Sequence, residues 1–215
     1  MSDMAASARP AEFAVDISPA NTALLVIDMQ NDFCAREGYV QRVLGMEVGQ
    51  SSEVAGSINQ LVEVARDNRV TVIWIKAAYD PHYIPDNMLS KLRQAGSTNE
   101  ILCEEGSWGA EFFGVSPLDG ELVITKHCYN AFFDTELDAV LQQQCVKTLV
   151  VTGVATNVCV DSTIRDGFMR GYNIVVPEEC VGSPAVELHE AALLNIHLMF
   201  GTVCHSAALM NSWGS

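Results

Sequence analysis

The stretch Leu149-Val150-Val151-Thr152-Gly153-Val154-Ala155-Thr156-Asn157-Val158-Cys159-Val160-Asp161-Ser162-Thr163-Ile164-Arg165-Asp166-Gly167 reads as a buried strand, a polar turn and an amphipathic helix. Its apolar and β-branched run stops at Gly153, and the helix that follows carries a thiol, Cys159, in its first turn. Unpaired N–H groups and the dipole at a helix N-terminus favour negative charge. A thiol placed there is expected to ionise more easily than a free one, and the thiolate is the nucleophile. The same N–H groups can hold the oxyanion of a carbonyl under attack. The plainer alternative is that Cys159 is a small buried apolar residue.

Outward from this segment, strand-like and helical runs alternate. Strands are predicted over 22–28, 70–76, 122–126, 147–152, 172–176 and 202–204. Helices are predicted over 49–68, 134–143, 157–170 and 187–200; the first has Val54, Ile58, Leu61, Val62 and Ala65 at helical spacing. Near-continuous Val/Ile/Leu strands separated by helices predict an α/β fold, a three-layer doubly wound and mostly parallel sheet of six strands with helices on both faces. Residues 1–17 are expected to form a short tail and 18–215 a single domain. The irregular stretch 77–120 is rich in Pro, Gly, Asn and Asp, and is expected to act as a lid or substrate wall.

Composition narrows the partners. Twelve Lys and Arg against 27 Asp and Glu give a net charge of −15, which disfavours nucleic acid and anionic lipid. No apolar run approaches the roughly 18 residues of a membrane span. Met1–Pro10 has no apolar core like that of a signal peptide, so a cytoplasmic protein is expected. The seven Cys (34, 103, 128, 145, 159, 180, 204) form no CxxC pair, which fits reduced thiols better than a disulfide frame or zinc site. No GxGxxG or GxxxxGK[ST] follows a strand, which counts against a nucleotide-binding protein.

In a doubly wound sheet, ligands bind beyond the carboxyl ends of the strands. Asp28 closes the first predicted strand, Lys126 the third, and Cys159 follows the fourth. Individually, Asp28 can cap a turn, Lys126 can be a solvated strand end and Cys159 filler. Together on one rim they form a proton-accepting carboxylate, an ammonium and a thiol. No His falls at a comparable strand end, so a Cys-His pair is the weaker reading.

These residues carry a resemblance. Leu25-Val26-Ile27-Asp28-Met29-Gln30-Asn31-Asp32-Phe33, Ile124-Thr125-Lys126 and Gly153-Val154-Ala155-Thr156-Asn157-Val158-Cys159-Val160 resemble the motifs of the isochorismatase-like cysteine hydrolases. The similarity runs from about Ser18 to Asn211. It implies an Asp28-Lys126-Cys159 triad, a cis Val154–Ala155 peptide, and an oxyanion hole of the Ala155 and Cys159 N–H groups. True isochorismatases lack the Cys, so the resemblance implies an amidase. Gly106-Ser107-Trp108, Tyr129-Asn130-Ala131-Phe132-Phe133-Asp134-Thr135, Asp161-Ser162-Thr163-Ile164-Arg165-Asp166-Gly167-Phe168 and Ala191-Ala192-Leu193-Leu194-Asn195-Ile196 resemble the ureidoacrylate amidohydrolases of pyrimidine degradation more closely. Biuret, triuret and N-carbamoylsarcosine hydrolases share that plan, and residues 77–99 depart from it most.

For nicotinamidase metal binding, Asp80-Pro81-His82 supplies half a motif without a nearby second His, and His127 is assigned to another element. No metal and no cofactor are expected. Gln30, Phe33, Trp108, Tyr129 and Val154 are the candidate substrate contacts. Gln30 can offer its amide to a ureido group or make a structural hydrogen bond; the aromatics can wall a pocket or fill the core, and Phe133 is read as core. Arg165 is expected to pair with a surface acid, and His189, His197 and His205 to be packing or interface residues. The partner expected is a small-molecule substrate. A homo-oligomer, dimer or tetramer, is also expected, with Leu198, Met199, Phe200 and Met210 as its apolar patch. An inactive scaffold or binding protein of the same fold is the alternative to an enzyme.

Overall fold

Every residue of β1 (Thr22–Ile27) and of β4 (Thr148–Val154) is buried, which is why both read as largely apolar and β-branched runs: each is covered on two faces. The computed structural model describes residues 13–95 and 100–214. Between and beyond these strands come α1 (Asn31–Cys34), α2 (Tyr39–Arg42), α3 (Ser51–Asp67), β2 (Thr71–Ala77), α4 (Asp86–Gln94), β3 (Leu122–Lys126) and α5 (Leu137–Gln143). After β4 follow α6 (Asp161–Met169), β5 (Asn173–Pro177), β6 (Val181–Gly182), α7 (Val186–Met199), β7 (Thr202–Cys204) and α8 (Ser206–Trp213). Among the described residues the strands form one seven-stranded parallel sheet in the order β3-β2-β1-β4-β5-β7, with β6 beside the end of β4. The two-residue β6 is the strand that the sequence does not signal.

Successive side chains of a strand point to opposite faces, and the core divides accordingly. Leu24, Val26, Val150 and Trp74 meet Val54, Ile58, Leu61 and Ala65 of α3 and Leu209 and Trp213 of α8. On the other face, Ala23, Leu25, Ile27, Ile75, Leu149 and Val151 meet Leu137 and Leu141 of α5, Ile164 of α6 and Ile196 of α7. The chain winds outward from β1 to β3, then crosses back to lay β4 against the other side of β1. The point where the order reverses therefore lies between β1 and β4, where such sheets open a crevice at their carboxyl ends.

Gly153 makes that junction possible. It has a φ of 109°, and a Cβ on it would lie 1.9 Å from the Ile27 carbonyl oxygen. Only glycine fits this approach without separating β1 from β4. Gly153→Ala is expected to destabilise the fold by at least about 4 kcal/mol, read as the loss of a cooperative denaturant transition.

Of the expected tail, residues 1–12 lie outside the described residues. The remainder packs on the core: Phe13 and Val15 lie against it, Trp213 Nε1 donates to the Ile17 carbonyl at 2.9 Å, and Thr148 Oγ1 donates to the Asp16 carbonyl at 2.6 Å. Within 77–120, residues 96–99 also lie outside the described residues. The rest is more ordered than its composition suggests. It contains α4, a 3-10 turn over Trp108–Ala110, and a small core of Tyr79, Ile84, Met88, Leu102 and Cys103. No helix of the described residues is long and apolar enough to cross a membrane. Leu198 and Met199 are exposed, whereas Phe200 and Met210 are half-buried against the core.

Candidate active site

Asp28 is the first residue past β1 and adopts a φ of 53°, a left-handed conformation that Asp tolerates better than most residues. Its N–H bonds the Ile75 carbonyl at 2.9 Å, fixing the turn off the sheet. Lys126 ends β3, and its Nζ lies 2.7 Å from Asp28 Oδ2, with both side chains fully buried. The ammonium also donates to the Cys128 carbonyl at 3.0 Å and to Tyr79 Oη at 3.3 Å. Tyr79 Oη in turn lies 3.6 Å from Cys159 Sγ. The structure thus draws Asp28, Lys126 and Cys159 together from the ends of three separate strands.

Burial sets the direction for Asp28 and Cys159 but not for Lys126. It pushes the Asp28 carboxyl above the ordinary carboxylate range, against the pull of Lys126 and of the Cys159 thiol. Burial also works against the Lys126 ammonium, but Asp28 and Cys159 outweigh it and raise its pKa. Burial likewise pushes the Cys159 thiol up to about 12, with Lys126 opposing and Asp28 reinforcing. Burial therefore works against the easy ionisation expected of this thiol. Cys159 lies in a π turn over Thr156–Val160 ahead of α6, 4% exposed, and this desolvation is the largest influence on its thiol. A thiol beside a buried carboxylate has a proton acceptor within reach.

The Val154–Ala155 peptide is cis. Val154 and Ala155 line a cavity of about 190 Å³ together with Phe33, Val48, Ser51 and Val186. Cys159 does not itself line this cavity. Phe33 does, and its ring packs edge-on against that of Tyr79, with centroids 6.3 Å apart. The ring of Tyr129 also packs edge-on against Tyr79, again at 6.3 Å.

Other candidates fall elsewhere. Gln30 is fully buried and its amide is consumed: Oε1 accepts from Ala77 N at 2.7 Å, and Nε2 donates to the Ala77 and Ala110 carbonyls at 3.0 Å. It is a structural clip between β2 and the 3-10 turn, leaving no donor for a substrate. Trp108 is half exposed and borders a separate depression with Asp32, Glu37 and Arg42, apart from the cavity lined by Val154 and Ala155. Phe133, read as core, is exposed instead. Arg165 pairs with Asp161 at 2.7 Å. His189 does more than pack: its Nδ1 meets Thr156 Oγ1 at 2.8 Å, bracing the turn that carries Cys159. Asp80 and His82 pair at 2.7 Å, and among the described residues no group of three His, Cys, Asp or Glu is placed to hold a metal.

Two site features escape the sequence reading. Tyr79 lies just beyond β2 on the same carboxyl rim, and that position is its only signal. Asp32 accepts from Tyr39 N at 3.1 Å and Cys103 N at 2.7 Å, fastening the segment at Cys103 to the loop that follows Asp28.

An isochorismatase domain model matches residues 22–208, and the chain belongs to that family. It is 37% identical to the ureidoacrylate amidohydrolase RutB of Methylobacterium radiotolerans over 96% of this chain and 84% of that protein. It is 34% identical to the ureidoacrylate amidohydrolase RutB of Cronobacter sakazakii over 94% of this chain and 92% of that protein. A crystal structure of an isochorismatase family protein from Desulfovibrio vulgaris superposes with a TM-score of 0.76 at 28% identity, covering 91% of this chain and 99% of that one.

Proposed function

We propose that this chain is a cysteine-dependent amidohydrolase that cleaves a C–N bond of a small ureido or carbamoyl substrate of the ureidoacrylate type through a thioester. The observation that carries the reading is the buried Asp28–Lys126 pair beside the Cys159 thiol at the switch point of the sheet. Family membership and the amidohydrolase relatives support hydrolysis of a non-peptide C–N bond.

In the first half-reaction the Asp28 carboxylate takes the thiol proton as Sγ bonds to the carbonyl carbon, and the carbonyl electron pair moves to oxygen. The N–H groups of Ala155 and Cys159 are the proposed donors to that oxyanion. Lys126 stabilises the charge as it shifts. The C–N bond then breaks and the departing nitrogen takes the proton from Asp28. In the second half, water gives a proton to Asp28 and adds to the thioester. The C–S bond breaks and Asp28 returns the proton to sulfur. A carbamate product would decompose to CO2 and ammonia.

The test is an ammonia-release panel of ureidoacrylate, biuret, triuret, N-carbamoyl amino acids and nicotinamide. Turnover of the ureido and carbamoyl compounds is expected, with ureidoacrylate fastest. Preference for nicotinamide, or no turnover of any member, would overturn the reading.

Because Asp28 must be ionised to act, activity is expected to fall as pH drops through its raised pKa. The acid limb of kcat/KM should therefore lie above the ordinary carboxylate range, near 4 for a free Asp. A limb at or below that range would show that another group controls it.

A further inference from the structure

Tyr79 touches both the ammonium and the sulfur. Its Oη lies 3.3 Å from Lys126 Nζ and 3.6 Å from Cys159 Sγ, and Nζ stands 5.4 Å from the centre of its ring. A buried Tyr needs one partner for its hydroxyl, and Lys126 alone would provide it. The proton directions say more. Lys126 has only donors, so it must donate to Oη, and the phenol's own proton is then free to point at the sulfur. We propose that Tyr79 is a fourth catalytic residue, donating a hydrogen bond to Cys159 Sγ and stabilising the negative charge that sulfur gains when Asp28 removes its proton.

A hydrogen bond to an ionised acceptor is stronger than one to a neutral thiol, so the contact favours the state on the way to attack over the resting state. Tyr79 keeps its proton throughout: burial raises its pKa well above the ordinary value, with Cys159 and Asp28 adding to the effect. Phe33 and Tyr129 both pack edge-on against its ring, fixing where the hydroxyl points. The inference rests on Cys159 being the nucleophile of the proposed reaction.

The test measures the sulfur directly, without turnover. Wild type and Tyr79→Phe are alkylated with iodoacetamide near neutral pH, and each thiol is followed by peptide mass, with exposed Cys145 as the internal reference. The Cys159 rate relative to Cys145 is expected to fall about tenfold or more in Tyr79→Phe, the size of a lost hydrogen bond to a charged group. An unchanged ratio in the folded variant would overturn the proposal. Should Tyr79→Phe fail to fold, 3-fluorotyrosine at position 79, a stronger donor, is expected to raise the ratio; no change or a fall would overturn it. The two proposals fail separately. A slowed Cys159 without hydrolysis of any ureide sinks only the substrate reading, and ureide hydrolysis with an unmoved ratio sinks only the role of Tyr79.

Discussion

Cys159→Ala is expected to fold and to release no ammonia above background, a loss of at least about a thousandfold in kcat. Members of a nucleophilic unit act together, so removing the nucleophile removes most of the rate whatever the remaining members contribute. Stability should change little. The thiol is small, and the turn that holds it keeps its other ties: Thr163 Oγ1 donates to the Cys159 carbonyl at 2.8 Å, and Ser183 Oγ donates to Asn157 Oδ1 at 2.6 Å. The loss of one buried sulfur costs about 1 kcal/mol. Ammonia-release assays and denaturant melts of the same sample separate the two effects. Retained hydrolysis in the folded variant would remove Cys159 from the mechanism.

Lys126→Met should damage stability as well as activity. Asp28 and Lys126 are both fully buried, so removing the ammonium leaves a carboxylate with no compensating charge. Breaking one side of a buried pair costs about 3–5 kcal/mol, and Asp28 would then take up a proton and cease to act as a base. Asp28→Asn combined with Lys126→Met removes both charges and is expected to recover much of that stability while remaining inactive. The coupling between the two substitutions is the measurement. If the single and double variants melt alike, the pair contributes little to the fold.

The central strands are legible in the sequence because burial on both faces leaves a continuous apolar signature, as in Leu24–Ile27 and Leu149–Val151. The rim residues are legible because strand ends place them. β6 is not, being two residues long with no periodicity to read. The region after β2 looks irregular because its order comes from distant partners, with Gln30 and Asp32 fastening Ala77, Ala110 and Cys103. The protonation of Cys159 is hidden for a different reason. A helix end is visible in sequence, whereas the desolvation that pushes the thiol's pKa up arises only when the chain has folded. Gln30 illustrates the same limit: its residue type suggests a substrate donor, and its neighbours in space use every donor it has.

The most direct measurement is to mix the protein with ureidoacrylate, quench in acid within the first turnover, and weigh the intact chain and its peptides. A covalent acyl group on the peptide bearing Cys159, absent from Cys159→Ala, is the predicted result. Turnover with no adduct on that peptide at any time, or an adduct on a different thiol, would contradict attack by Cys159.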